Sequence, residues 1–264
     1  MFEYFFDLPL IITGPLIIGI LCLFAIGGLW FVRRHVHSQM NIETHDSHFS
    51  GAMVHSVMIF YGLAAALMAV NVSETYTDVS KIVECEATAL AVLYRDVSGY
   101  PEPIRTELQK VLHDYSQYII NEVWPAQSKG QLAFGGVQRM NRFQSILFVF
   151  EPVTEGQKLL HGETINAYNE LLAARRLRID AVDTGLPAVM WVVLILGAFI
   201  SLTSSFFFKV EDVRLHGIQV LLLALFIGLN IFVILALDRP FRGDLGLSPK
   251  PYQLVFDQLM KIKF

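Results

Sequence analysis

Four stretches of this chain, residues 8–32, 51–72, 184–208 and 217–237, contain no Asp, Glu, Lys or Arg. Each reaches the roughly 20 residues that a helix rising about 1.5 Å per residue needs to cross a hydrocarbon core about 30 Å thick. Only 17% of the 264 residues are charged and 54% are hydrophobic. An ordinary soluble domain carries about 25% charge. The pattern specifies an all-α integral membrane protein, its four transmembrane helices arranged as two hairpins flanking a helical extramembrane domain. The first hairpin takes residues 1–72, the helical domain 73–183, the second hairpin 184–237, and a C-terminal motif with an amphipathic tail 238–264. The first run does not read as a cleaved signal peptide. Its leader carries Glu3 and Asp7 without a basic residue, and the apolar part is too long.

The remaining composition narrows the chemistry. A net charge of −4 leaves no basic footprint for nucleic acid. No CxxC, zinc-finger spacing, P-loop, HExxH or GxGxxG occurs, so no cofactor is expected and the chain does not read as an enzyme. Cys22 lies in an apolar run and Cys85 in a polar segment, so no disulfide is expected. His45, Asp46, His48 and His55 are the one cluster with metal-ligand chemistry. Spacings of three and seven let the three histidines share a helical face. A metal site needs converging ligands and groups that orient them. Solvated or headgroup-facing histidines are the default, and no metal is expected.

Between the hairpins, residues 63–98 contain neither Gly nor Pro. The second membrane helix is therefore expected to continue into the polar domain. Tyr76, Val79, Val83, Leu90, Leu93 and Val97 recur at helical spacing, with Glu86 where an apolar residue belongs. That carboxylate faces a partner charge, lines a wet space, or marks where the stripe turns. A helix is expected over 104–124, ended by Pro125, and a short one over 137–151, ended by Pro152. A long helix then leads back to the bilayer, with Ile165, Tyr168, Leu172, Ile179, Val182 and Leu186 in heptads. Arg175 fills its missing apolar position, beside Arg176 and Arg178. Each connecting helix thus carries one charge in its seam, and Glu86 is expected to pair with Arg175. Within the membrane runs, Gly62, Ala65, Ala66 and Ala69, and likewise Gly197, Ser201 and Ser205, form small-residue faces for close packing. Asn230 is expected to bond a neighbouring helix.

The fourth run ends in Asp238-Arg239-Pro240-Phe241-Arg242-Gly243-Asp244. Pro240 stops a helix there. The stretch reads either as a bilayer exit with snorkelling arginines or as a knot docking the last membrane helix on the polar domain. An even number of crossings places Glu86, Arg175, Arg176, Asp238, Arg239 and Arg242 at one membrane face, as a structural or conduction charge layer. Lys81, the three arginines 175, 176 and 178, and Arg239, Arg242 and Lys250 outnumber Arg33, Arg34, Lys209 and Arg214 across the bilayer. That count puts the large domain and both termini in the cytoplasm, in the inner membrane. The acidic N-terminus and Arg33-Arg34 argue the other way.

Glu86-Ala87, Leu93-Tyr94-Arg95, Tyr115, Glu122-Val123-Trp124-Pro125, Arg175, Leu186-Pro187, Trp191 and Asp238-Arg239-Pro240-Phe241-Arg242-Gly243 together resemble a bestrophin-like family of bacterial and plant membrane proteins. The extra Val123 departs from a tighter Glu-Trp-Pro. The resemblance implies two helices, a helical domain, two helices and a tail, the layout of bestrophins, which are pentameric anion channels. On that reading the partners are the bilayer, further copies of the chain and an inorganic anion. The second membrane helix lines the axis, and Ile59, Phe60, Leu63 and Leu67 form an apolar constriction that gates by dewetting. The same four side chains also suit lipid or ordinary packing. A membrane-anchored interaction or sensory module without a pore is the competing reading, and it fits the lack of a polar transmembrane stripe.

Overall fold

The computed structural model describes residues 9–36, 44–208 and 212–261, with the backbone alone for 44–50, 52 and 53. Its regular structure is helical throughout the described residues. Four helices are long and apolar enough to cross a membrane. They are built on the four uncharged runs: α1 (Leu10–His35), α2 (Thr44–Val97), α7 (Ala188–Phe206) and α8 (Val213–Leu237). The protein is therefore an integral, multi-pass membrane protein, and the bilayer is its solvent. The helix expected to run on from the second crossing does so, as the 54 continuous residues of α2. Two compact units form, residues 1–74 with 185–238 and residues 75–184 with 239–264.

In the first unit, buried positions recur every three or four residues: Leu21, Ala25, Leu29 and Val32 on α1, and Val220, Ala224, Ile227, Ile231 and Ile234 on α8. Leu194, Ala198 and Leu202 do the same on α7. Small residues set the spacing between helices. A Cβ on Gly228 would stand 3.2 Å from the Ile18 Cα, and one on Gly197 would stand 2.6 Å from the Tyr61 ring. In lipid such close approach provides the dispersion contact that holds helices together. Two expectations change. Asn230 donates one N–H back to the Phe226 carbonyl of its own helix at 2.9 Å, rather than to a neighbouring helix. On α2 only part of the small-residue face is used: Ala65 is buried, whereas Gly62 and Ala66 are exposed.

The second unit packs the far half of α2 against α3 (Ile104–Tyr118), α5 (Gly136–Val149) and α6 (Glu155–Asp180). Leu90, Leu93, Leu108, Leu112, Tyr115, Phe143 and Leu171 are fully buried there. Pro125 does not end the second helix of this unit. A π-turn, Ile119–Val123, widens the path ahead of Pro125, and the helical run continues through α4 (Trp124–Gln127), which carries Pro125 in its first turn. The short helix begins one residue earlier than expected and stops at Val149. A capping box starts α6: Gln157 N–H donates to Thr154 Oγ1, and Thr154 N–H donates to Gln157 Oε1. At its other end α6 tightens into a 3₁₀ turn, Ala181–Asp183. The tail supplies α9 (Lys250–Val255) and a closing π-turn, Phe256–Met260.

Candidate functional site

Glu86 lies on the apolar stripe of α2 and is completely buried. Arg178 Nε donates to its Oε2 at 2.6 Å and Nη2 to its Oε1 at 3.4 Å. The Tyr115 hydroxyl, from α3, donates to Oε1 at 2.8 Å. One carboxylate therefore joins three helices. The expected partner was Arg175, and the structure corrects this to Arg178. The two arginines share a face of α6 three residues apart, so spacing alone does not say which turn of α6 meets Glu86. Arg175 is half-buried, lines a neighbouring cavity and makes no ion pair among the described residues. Arg176 is exposed, 3.9 Å from Asp180, in a pair that contributes little.

Burial first, and the Glu86 charge second, push the Tyr115 hydroxyl well above the usual tyrosine pKa. The same two causes, in the same order, raise Tyr252 on α9, whose buried hydroxyl faces this carboxylate without an aligned hydrogen bond. Both rings stay neutral, so Tyr115 stays a donor. A buried ion pair stabilises a fold only when its remaining lone pairs are answered, and Tyr115 answers one here. The chemistry is that of a structural clamp. No nucleophile or general base adjoins it among the described residues.

The C-terminal motif is folded tightly. Asp238 is buried, and its Oδ1 accepts the Leu186 N–H at 2.6 Å, at the entrance to α7. Arg239 Nη1 donates to the Asp183 carbonyl at 3.0 Å, answering a carbonyl that the end of α6 leaves unpaired. Phe241 is buried edge-on against Trp124 at 5.7 Å, and Trp124 Nε1–H donates to the Leu247 carbonyl at 2.8 Å. Leu247 N–H closes the turn on the Pro240 carbonyl at 2.8 Å. Arg242 lies over Gly130, whose φ of +67° favours glycine and where a Cβ would displace the guanidinium. Thus the two motif arginines act on backbone of the second unit, where the sequence left snorkelling open.

On the membrane part of α2, Ile59, Phe60, Leu63 and Leu67 are 55%, 73%, 56% and 62% exposed. His55 is exposed, and the side chains of His45, Asp46 and His48 lie outside the described residues. Among the described residues no three His, Cys, Asp or Glu side chains group as metal ligands. Sequence reasoning missed His216. It is buried, accepts from Arg33 Nη2 at its Nδ1 (3.0 Å) and donates from Nε2 to the Ser205 carbonyl (3.1 Å), which together require the neutral ring. Nothing in its spacing marks it. Tyr115 did carry a signal, because a tyrosine inside an apolar stripe must find a partner for its hydroxyl.

The fold matches a crystal structure described as that of a membrane protein, with a TM-score of 0.59 and 12% identity over 93% of this chain and 98% of that one. At that identity the likeness is one of fold. Comparison with curated proteins gives no match. The bestrophin-like domain family matches residues 19–252, and with these four apolar helices around a helical insertion the chain belongs to the bestrophin-like family.

Proposed function

We propose that this protein is a homo-oligomeric anion channel whose axis is lined by the membrane part of α2. The observation that carries the reading is the unpartnered face of that helix. In its apolar window 11% of residues are buried, against 39% in α8. Exposed Gly62 and Ala66 stand four apart, flanked by Phe60, Leu63 and Leu67. Small residues at that spacing bring helices into close contact in lipid, and cyclic repetition of one chain turns one such helix into a ring. The large side chains beside them then narrow the lumen, and an apolar ring gates by excluding water. Family membership supports the same architecture. The second unit, the termini and the charge layer of Glu86, Arg175, Arg176, Asp238, Arg239 and Arg242 lie on the cytoplasmic side of the inner membrane in this reading.

A second reading, a membrane-anchored sensory module without a pore, draws on the separately packed second unit. Purified protein in liposomes separates the two. The channel predicts chloride efflux and an oligomer in native mass spectrometry, with Gly62→Trp abolishing both. A monomer that passes no chloride overturns it. A reporter fused after Phe264 that is active only outside the cytoplasm overturns the orientation.

A further inference from the structure

The second unit contains a cavity of about 200 Å³ whose polar lining is Tyr115, Tyr118, Gln127, Arg175 and Arg178, with no carboxylate among its lining residues. Three of these groups are buried with no hydrogen-bond partner among the described residues: Arg178 Nη1, Gln127 Oε1 and Tyr118 Oη. The residues that carry them are only 2%, 1% and 3% exposed. Buried polar atoms are nearly always partnered, so two orphaned donors at one cavity, Arg178 Nη1 and Tyr118 Oη, mark something that accepts from them. Arg178 spends Nε and Nη2 on Glu86 and has only Nη1 left for the cavity.

Arg175 adds a second argument. A Cβ on Gly136 would stand 2.8 Å from its Nη2, so the guanidinium rests against the first residue of α5. That helix has no side-chain cap, because Gly135 precedes it at φ +127°. A helix N-terminus carries partial positive charge and favours anions. A cation placed against it is unfavourable unless negative charge lies between them. The acids nearby are already engaged: Glu86 with Arg178, and Asp114 with Arg139, whose guanidinium covers the Tyr118 ring. The rest of the wall is apolar, with Val123, Val137 and Ile179 lining it and Phe134, 93% exposed, beside them.

We propose that this cavity binds a small organic carboxylate. Its oxygens lie between Arg175, Arg178 Nη1 and the first N–H groups of α5, and its apolar body lies along the valines and Ile179. Guanidinium forks match a carboxylate in plane and spacing. At about 30 Å³ per water-sized group, the volume holds roughly seven non-hydrogen atoms. The Tyr118 hydroxyl is the remaining donor; the orphaned Gln127 atom is its Oε1, an acceptor, which the carboxylate does not answer. The site is independent of the pore, since nothing in it requires conduction.

The test uses the full-length protein in detergent and measures binding of butyrate by calorimetry and by thermal shift at fixed ionic strength. Butyrate is expected to bind saturably at millimolar concentration, and neutral butyramide to give no signal. Arg175→Met is expected to weaken binding at least tenfold while leaving the unliganded protein folded, because it breaks no ion pair. Gly136→Ala, whose methyl displaces the Arg175 guanidinium, should weaken binding in the same direction. Absence of saturable binding overturns the proposal, as does unchanged affinity in Arg175→Met. Chloride or inorganic phosphate binding as tightly as butyrate overturns the carboxylate assignment. Flux plays no part in these readouts, so failure here leaves the channel reading to be judged on its own.

Discussion

Replacing Glu86 with Gln changes almost no volume and leaves Tyr115 an acceptor oxygen. What it removes is the charge that faces Arg178, a guanidinium 2% exposed and 2.6 Å from the carboxylate. Breaking a buried pair by removing one partner costs about 3–5 kcal/mol, because the other charge is left uncompensated. For a protein of this size each kcal/mol lowers the melting temperature by roughly 2–4 °C. Glu86→Gln should therefore melt about 10 °C below the parent, followed by tryptophan fluorescence in detergent at one fixed scan rate, since membrane proteins seldom unfold reversibly. The double variant Glu86→Leu with Arg178→Met is the sharper half of the experiment. Exchanging a whole buried pair for apolar groups is often neutral or stabilising, so the double variant should melt close to the parent and well above either single change. If Glu86→Gln melts within about 2 °C of the parent, or if the two single losses simply add, the clamp does not exist as described.

Asp238→Ala leaves the buried Leu186 N–H without its acceptor and should cost about 1–3 kcal/mol, seen as lower yield of monodisperse protein; Asp238→Asn keeps an acceptor and should recover most of it, and equal yields for Ala and Asp would refute the role. Tyr115 and Tyr252 have folded pKa values raised above the unfolded value by burial and by Glu86. Their contribution to stability is therefore fully present below about pH 10 and is lost as pH rises further. Melting temperature should fall above about pH 10, with tyrosinate absorbance from these two rings appearing only as the protein unfolds; early titration in the folded state would contradict it. Gly130→Ala forces an alanine to φ +67° under the Arg242 guanidinium and should cost about 1–3 kcal/mol. Adding Arg242→Ala should restore the steric part alone, and a neutral Gly130→Ala would show that the loop relaxes freely.

Several of these groups were legible in the sequence as problems to be solved. Glu86 in an apolar stripe demands a partner, Asp238-Arg239-Pro240 after an uncharged run demands a helix stop, and Arg175, Arg176 and Arg178 supply cations on the returning helix. The solutions were less legible. Arg178 rather than Arg175 reaches Glu86, although both lie on the inward face of α6. Asp238 caps backbone at Leu186, and Arg242 covers a glycine more than a hundred residues away. His216 carried no signal in the sequence and is buried between Arg33 and Ser205.

The sequence by itself determined the class of this protein. Uncharged runs long enough to cross a bilayer, breaks at Pro and Gly, and apolar spacing of three and four residues depend only on neighbours along the chain. Tertiary structure decided which turn of one helix meets which turn of another. A helix repeats its faces every 3.6 residues, so side chains one turn apart are equivalent until a second helix crosses at a particular height. That crossing seats one arginine on Glu86 and leaves the other beside an uncapped helix end.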